Sequence, residues 1–295
     1  MMDLLEFPVP RRASLVLRAA GGLGRVLRGL SPSVVIGGAI LLFWIACALL
    51  GGWLVPYDPY AEDFLAMLAR PDAAHWFGTD QLGRDVFSRV VVGSRDILLV
   101  APLATLGGVA AGTVIGLVLG YFDGLVDAVG ARLLDTLMAF PFIVLVTMTL
   151  VALGPSNLTV ILVIAIAYAP LVARTVRAAV REQREREYVS AARLGGENAF
   201  AIMILEILPN IRETIVIELV TRLGYAFFSI ATLSFLGLGI QPPSADWGLS
   251  VAEGYGFLTG GKWWVVVFNS AAIVSLVMAT NLIAQGVGAF ENTER

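Results

Sequence analysis

Apolar residues in this chain come in long unbroken runs, not in alternation. Six runs of about 20 residues stand out, from Ser33 to Val55, Ile97 to Tyr121, Leu133 to Leu153, Leu158 to Val180, Ile215 to Leu238 and Val265 to Ala289. Each is long enough to cross a hydrocarbon core about 30 Å thick as a helix. Lipid offers no partner to a free N–H or C=O, so only helices and closed barrels cross it. None of the runs alternates with the two-residue period of a barrel strand. The pattern predicts an all-α polytopic membrane protein with six transmembrane helices.

Charge placement orients these helices. Arg11, Arg12, Arg18, Arg25 and Arg28 precede the first run, which is long for a signal peptide and has no small-residue cleavage site before Pro56. The positive-inside rule then puts the N-terminus in the cytoplasm. Six crossings return the C-terminus there, and they leave Arg174, Arg177, Arg181, Arg184, Arg186 and Arg193 on the same side. Acidic residues dominate the segment after Pro56, which falls outside. The predicted organisation is an arginine-rich cytoplasmic segment over 1–32, a first span over 33–55, an extracytoplasmic segment over 56–96, a five-helix core over 97–289 and a cytoplasmic tail over 290–295. Residues Pro10 to Leu30 read either as a basic helix on the inner surface or as a flexible tail that only sets orientation.

Composition agrees with a lipid-facing chain. With 58% hydrophobic and 15% charged residues, a soluble domain would lack the polar surface to cover itself. A net charge of −3 and the lack of a dense basic patch argue against a nucleic-acid partner. Cys47 is the single cysteine, so no disulfide can form within the chain. His75 is the single histidine, and beside Asp80 and Asp85 it falls short of a transition-metal or catalytic constellation, so no metal site is expected. Gly256 to Lys262 has the glycine–lysine spacing of a phosphate loop, but Trp263 replaces the Ser or Thr that would meet magnesium; it reads as a flexible loop.

Three features within or between the spans carry candidate chemistry. Gly108, Gly112, Gly116 and Gly120 recur every four residues and make a smooth face on which a helix backbone can lie close. Glu218 and Arg222 sit four apart on one face of the fifth run, a pair that lines a pathway or else lies among the inner headgroups. Between the fourth and fifth runs, over 181–210, lies Glu187-Tyr-Val-Ser-Ala-Ala-Arg-Leu-Gly-Gly-Glu-Asn, followed by Ile207-Leu-Pro-Asn210. This reads as two short helices around a glycine bend, with small Ala191 and Ala192 suited to close approach, Gly195 and Gly196 suited to the turn, and Pro209 suited to a helix's first turn. A docking element for a cytosolic partner and an ordinary connecting loop both fit that pattern.

The same stretch resembles the Glu-Ala-Ala loop of permease subunits from binding-protein-dependent ABC importers of type I fold. Ala191, Ala192, Gly196, Leu208 and Pro209 match its spacing, Ser190 stands in place of its glutamate, and Glu206 occupies a position that is often histidine. Pro56-Tyr-Asp-Pro59, the run from His75 to Arg89, Asp135 to Pro141, Leu233 to Pro243 and Asp246-Trp-Gly248 extend the resemblance to the C-type subunit of dipeptide/oligopeptide permeases. The last span departs from that pattern, reading Phe268-Asn-Ser270 where Pro-Gly is common.

The resemblance implies a multi-pass subunit of the bacterial plasma (inner) membrane that moves di- or oligopeptides by alternating access. Glutathione or nickel chelates are the alternative cargo. It implies a second permease subunit, an extracytoplasmic binding protein and two cytosolic ATPase subunits that carry the ATP and magnesium, with no cofactor or catalytic residue in this chain. Glu187, Tyr188, Ser190, Ala191, Ala192, Arg193, Gly196, Glu206 and Pro209 then form the ATPase-coupling loop. Asp80, Arg84 and Asp85 become candidates for meeting the binding protein, with a local salt-bridge network as the competing reading. A proton-coupled secondary transporter working through Glu213 or Glu218 is the rival from another class, and an intramembrane enzyme is a further one.

Overall fold

A computed structural model describes residues 31–291, with side chains to Gly286. The arginine-rich segment before Ser31, with its surface-helix or tail alternatives, lies outside the described residues, as do the last four residues.

Helix α1 (Pro32–Leu54) opens with Pro at its first position, where the missing N–H costs nothing. Its 23 residues span about 34 Å, enough for the core of a bilayer. Helix α2 (Val86–Tyr121) is much longer, at 36 residues. The Asp85 carboxylate caps it by accepting from the Ser88 N–H at 2.8 Å. The sequence reading started this helix at Ile97, because Arg89, Arg95 and Asp96 interrupt the apolar run. Those early turns are nevertheless helical, since loops satisfy the charges: Arg89 donates to the carbonyls of Pro59 and Ser244, and Asp96 accepts from the Ser244 hydroxyl at 2.5 Å.

The predicted third span, Leu133 to Leu153, is not one straight helix. It divides into α3 (Leu125–Met138) and α4 (Phe142–Leu153), which meet at 82°. Pro141 has no N–H to give, and its ring pushes Phe140 out of helical geometry, so the chain turns there. Among the described residues five helices are long and apolar enough to cross a membrane, or six if the bent pair is one broken span.

Helix α5 (Asn157–Arg184) starts at a Ser156 cap, and α6 (Glu187–Leu194) and α7 (Ala199–Asn210) follow as short elements. Helix α8 (Arg212–Phe235), the short α9 (Trp247–Tyr255) and α10 (Trp264–Glu291) complete the chain. The described residues form no β-strand, only one bridge between Thr79 and Asp85. Gly256 to Lys262 is a tight turn between α9 and α10, with Gly261 at φ +74°.

The central seam is α2 against α5. A Cβ added at Gly112, Gly116 or Gly120 would lie 2.6 to 2.7 Å from the Cβ of Val172, Val176 or Val180. Only glycine admits that approach, so the four-residue stripe is a packing surface. Three tryptophans lock the helices at one end of the bundle, each burying its ring and placing its N–H: Trp44 on the Ser275 hydroxyl at 2.7 Å, Trp247 on the Val90 carbonyl at 2.9 Å and Trp264 on the Thr79 carbonyl at 2.9 Å.

Candidate functional site

The bundle has two differently built ends. At one, here the elbow end, α6 and α7 fold back on each other beneath α5. A Schellman turn closes α6: the N–H of Glu197 donates to the Ala192 carbonyl at 3.2 Å and that of Gly196 to the Arg193 carbonyl at 3.1 Å. Gly196 takes φ +82°, a backbone conformation that a side chain would strain. The Asn198 side chain then caps α7 by accepting from the Ala201 N–H at 2.8 Å. A π-type stretch over Ile202–Ile207 widens α7 just before Pro209.

Apolar anchors fix the elbow on the bundle. Val189, Ile202 and Ile207 are fully buried against Val176 and Val180 of α5. The Tyr188 hydroxyl donates to Gln183 at 2.9 Å, and the Arg193 guanidinium lies 5.1 Å from the centre of the Tyr121 ring. Along the outer side, Glu187, Ser190, Ala191, Gly196 and Pro209 are exposed, while Tyr188, Ala192 and Glu206 are half-buried. Leu194 and Phe200 flank the bend at 90% and 70% exposure. These two apolar side chains stand on a ridge of small residues. Sequence reasoning singled out neither, because the way a side chain faces on so short a helix depends on how that helix is docked.

Basic side chains tie this end together. Arg177 and Arg181 of α5 both hold the Asp127 carboxylate of α3, and Arg184 reaches Asp123 at 2.7 Å. That hydrogen bond holds the Asp123 carboxyl below the usual carboxylate range.

At the opposite, loop end the candidates for partner contact turn inward. Asp80, Arg84 and Asp85 keep only 2%, 7% and 3% exposure, so they offer no surface of their own. The Arg84 guanidinium donates to Asp80 at 2.6 Å and to Glu253 at 2.9 Å, and Asp80 also accepts from the Leu82 and Arg84 N–H groups. Asp85 caps α2 and meets His75 Nδ1 at 2.9 Å. Asp80 and Arg84 thus belong to one network, and Asp85 to a separate contact with His75 and Ser88. The network extends to Glu253, 169 residues from Arg84, and to Arg89, neither of which the sequence singled out. The described residues hold no cluster of three metal-ligating side chains.

Within the bundle, Glu218 and Arg222 pair at 2.9 Å on α8. They lie about 9 and 15 Å along the helix from Arg212, which carries Arg222 well into its depth. Arg222 sits 5.9 Å from the centre of the exposed Tyr225 ring.

Residues 112–289, which contain the whole elbow, match the family described as binding-protein-dependent transport system inner membrane component. The chain belongs to this family. Residues 31–71 further match the N-terminal transmembrane domain of oligopeptide transport permease C. The permease is 36% identical over 262 residues to the probable D,D-dipeptide transport system permease protein of Escherichia coli (strain K12), covering 89% of this chain and 87% of that one. It is 36% identical to the glutathione transport system permease protein of Pectobacterium atrosepticum, over 86% and 84% of the two chains. Identity to the dipeptide transport system permease protein of Bacillus subtilis (strain 168) is 34%, over 84% and 78%. The permease is therefore a multi-pass protein of the bacterial inner membrane and works as a transport component.

Proposed function

We propose that this permease is one of two membrane-spanning subunits of an ATP-driven importer of short peptides. With a second permease it forms a path that opens alternately to the two sides, and two cytosolic ATPase subunits drive the change. Both termini lie in the cytoplasm, which places the elbow on the ATPase side. The observation that carries this reading is the elbow itself, anchored to α5 through Val189 and presenting Leu194 and Phe200 outward. A surface held by a buried anchor moves as a rigid lever, and ATP can bias the pathway only through contacts that differ between its two states. Hydrolysis belongs to the ATPase subunits, which supply the nucleotide and magnesium sites.

A binding protein delivers substrate at the loop end, whose shape Asp80, Arg84 and Asp85 maintain from beneath. The Glu218–Arg222 pair on α8 either lines the pathway or lies among the inner headgroups. The short-peptide assignment rests on the relatives' printed substrates; glutathione, itself a tripeptide, stays within that class.

Pull-down of tagged chain from native membranes tests the reading. Wild type should recover an ATPase and a second permease. Gly196→Glu should lose the ATPase by straining the bend, and Leu194→Ser should lose it with the backbone undisturbed. A wild-type chain that purifies alone would overturn the proposal in favour of a secondary transporter.

A further inference from the structure

A groove on the flank of the loop end has no role in the reading above. It runs between α1 and α10 over α2, encloses about 560 Å³, and is lined by Phe43, Trp44, Phe77, Phe87, Phe268 and Ser275 among others. Its walls are almost wholly apolar, and it opens outward past Phe43, which is 59% exposed. Two ring contacts make it rigid: Phe77 stacks on Phe268 at 3.9 Å, and Phe43 meets Trp44 edge-on at 5.1 Å. The Trp44 N–H is already committed to Ser275, so no free donor remains on that indole to hold water.

The dimensions of the groove are those of one membrane leaflet. From Trp264, at the start of α10, to Ser275 the helix advances about 16 Å, half of a hydrocarbon core about 30 Å thick. Phe268 also lines a second hollow directly above, of about 420 Å³, whose other walls include Arg70, Gly261, Trp263 and Trp264. Arg70 is exposed and has no ion-pair partner among the described residues. Lys262, next to this hollow, likewise pairs with no carboxylate there; its ammonium meets the Leu68 carbonyl at 3.3 Å and lies 5.4 Å from the centre of the Trp264 ring. The carboxylate nearest in sequence to Arg70, Asp72, accepts from the N–H groups of Ala74 and His75. Trp76 and Trp263 stand exposed around this rim, as amphipathic rings do at the level of lipid headgroups.

We propose that this is a binding site for one anionic phospholipid, with its phosphate held by Arg70 and Lys262 and one acyl chain seated in the groove down to Ser275. Apolar walls would accept any chain, so selectivity comes from the two cations, which favour a net negative headgroup over a zwitterionic one. The inference is independent of the cargo and of the ATPase, and rests only on this end of the bundle lying at the membrane surface.

Native mass spectrometry on the full chain, released from nanodiscs of mixed phosphatidylglycerol and phosphatidylcholine, tests it. Wild type should retain one phosphatidylglycerol, enriched several-fold over its share of the disc. The double variant Arg70→Gln/Lys262→Gln should lose that enrichment, while Arg132→Gln, an exposed arginine at the elbow end, should keep it. Ser275→Leu, which blocks the floor of the groove with the cations intact, should release the lipid as well. Retention in Ser275→Leu would reduce the site to a surface phosphate contact and overturn the proposal. Wild type without a retained lipid, as when a second protein chain covers the groove, would overturn it too.

Discussion

At the loop end of this permease a cluster of charged side chains turns inward, and at the elbow end two apolar side chains turn outward. Asp80 and Arg84 are buried in a network that includes Arg89 and draws Glu253 from a distant part of the chain, and Asp85 is buried beside it on His75. Leu194 and Phe200 stand in the open beside a bend held by buried Val189. Ions taken out of water must find partners within the chain, so this network is complete by itself. Exposed apolar side chains on an anchored ridge gain only when something covers them, and on the proposed function the ATPase does so. The charges of this cluster are thus committed to the fold, whereas Leu194 and Phe200 are not.

The contrast breaks first at Asp80. Replacing it with Ala takes the only paired carboxylate from buried Arg89, leaves Arg84 with Glu253 alone, and leaves the Leu82 and Arg84 N–H groups without their acceptor. The expected loss is about 3–5 kcal/mol, read as a fall in thermal midpoint of the purified chain. A loss below about 1 kcal/mol, the worth of an exposed ion pair, would show that the loop-end charges are solvated after all.

Asp246, also at the loop end, should behave in the opposite sense. One of its oxygens caps α9 on the Leu249 N–H at 2.8 Å, and the other has no hydrogen-bond partner. Burial pushes its carboxyl up to about 6 from an ordinary 3.8. A raised carboxyl holds its proton more tightly in the folded state, so its contribution is most favourable below about pH 4, falls as the pH climbs through 6, and is flat above about 7. Ionisation therefore costs the fold on the order of 3 kcal/mol at most. Asp246→Asn keeps a good cap without the charge, so it should match wild type near pH 4 and become the more stable chain by pH 7. A stability difference that does not change with pH would mean that water reaches this carboxylate.

The helices were legible in the sequence because lipid forces apolar residues into runs of fixed length. Their ends were less so. A charged turn such as Arg89 to Asp96 breaks an apolar run without breaking a helix, and the partners that tolerate it, Pro59 and Ser244, lie far away in sequence. The bend at Pro141 had a local signal in the proline, overridden by the apolar residues around it. At the elbow, the resemblance supplied Ala191, Gly196 and Pro209, whereas the exposure of Leu194 and Phe200 depends on which way α6 faces. A salt-bridge network among Asp80, Arg84 and Asp85 was one of two readings open in the sequence, but Glu253 could be found only through the fold.

Between the two ends, the α2–α5 seam should be as intolerant as the loop network, though less costly to disturb. Gly116→Ala would put a Cβ 2.7 Å from that of Val176 and 2.9 Å from the Ala173 carbonyl, on two helices that cannot separate locally. A loss of about 1–3 kcal/mol is expected. Gly52→Ala, where nothing lies within 4 Å, should be neutral or slightly stabilising in the same melting experiment. Equal losses at the two positions would point to a general intolerance of alanine and not to close packing.

The smallest effect on stability is expected at Leu194. At 90% exposure its side chain has almost nothing to lose within the chain, and Leu194→Ser should shift stability by no more than about 0.5 kcal/mol. Its effect should appear in the assembly, as ATPase missing from the purified complex while the second permease remains. If Leu194→Ser instead melts as early as Gly116→Ala, the leucine packs inside the permease, the elbow is as self-contained as the loop end, and the opposition between the two ends fails. A small melting shift joined to loss of the ATPase is the one pairing that a merely structural elbow would not give.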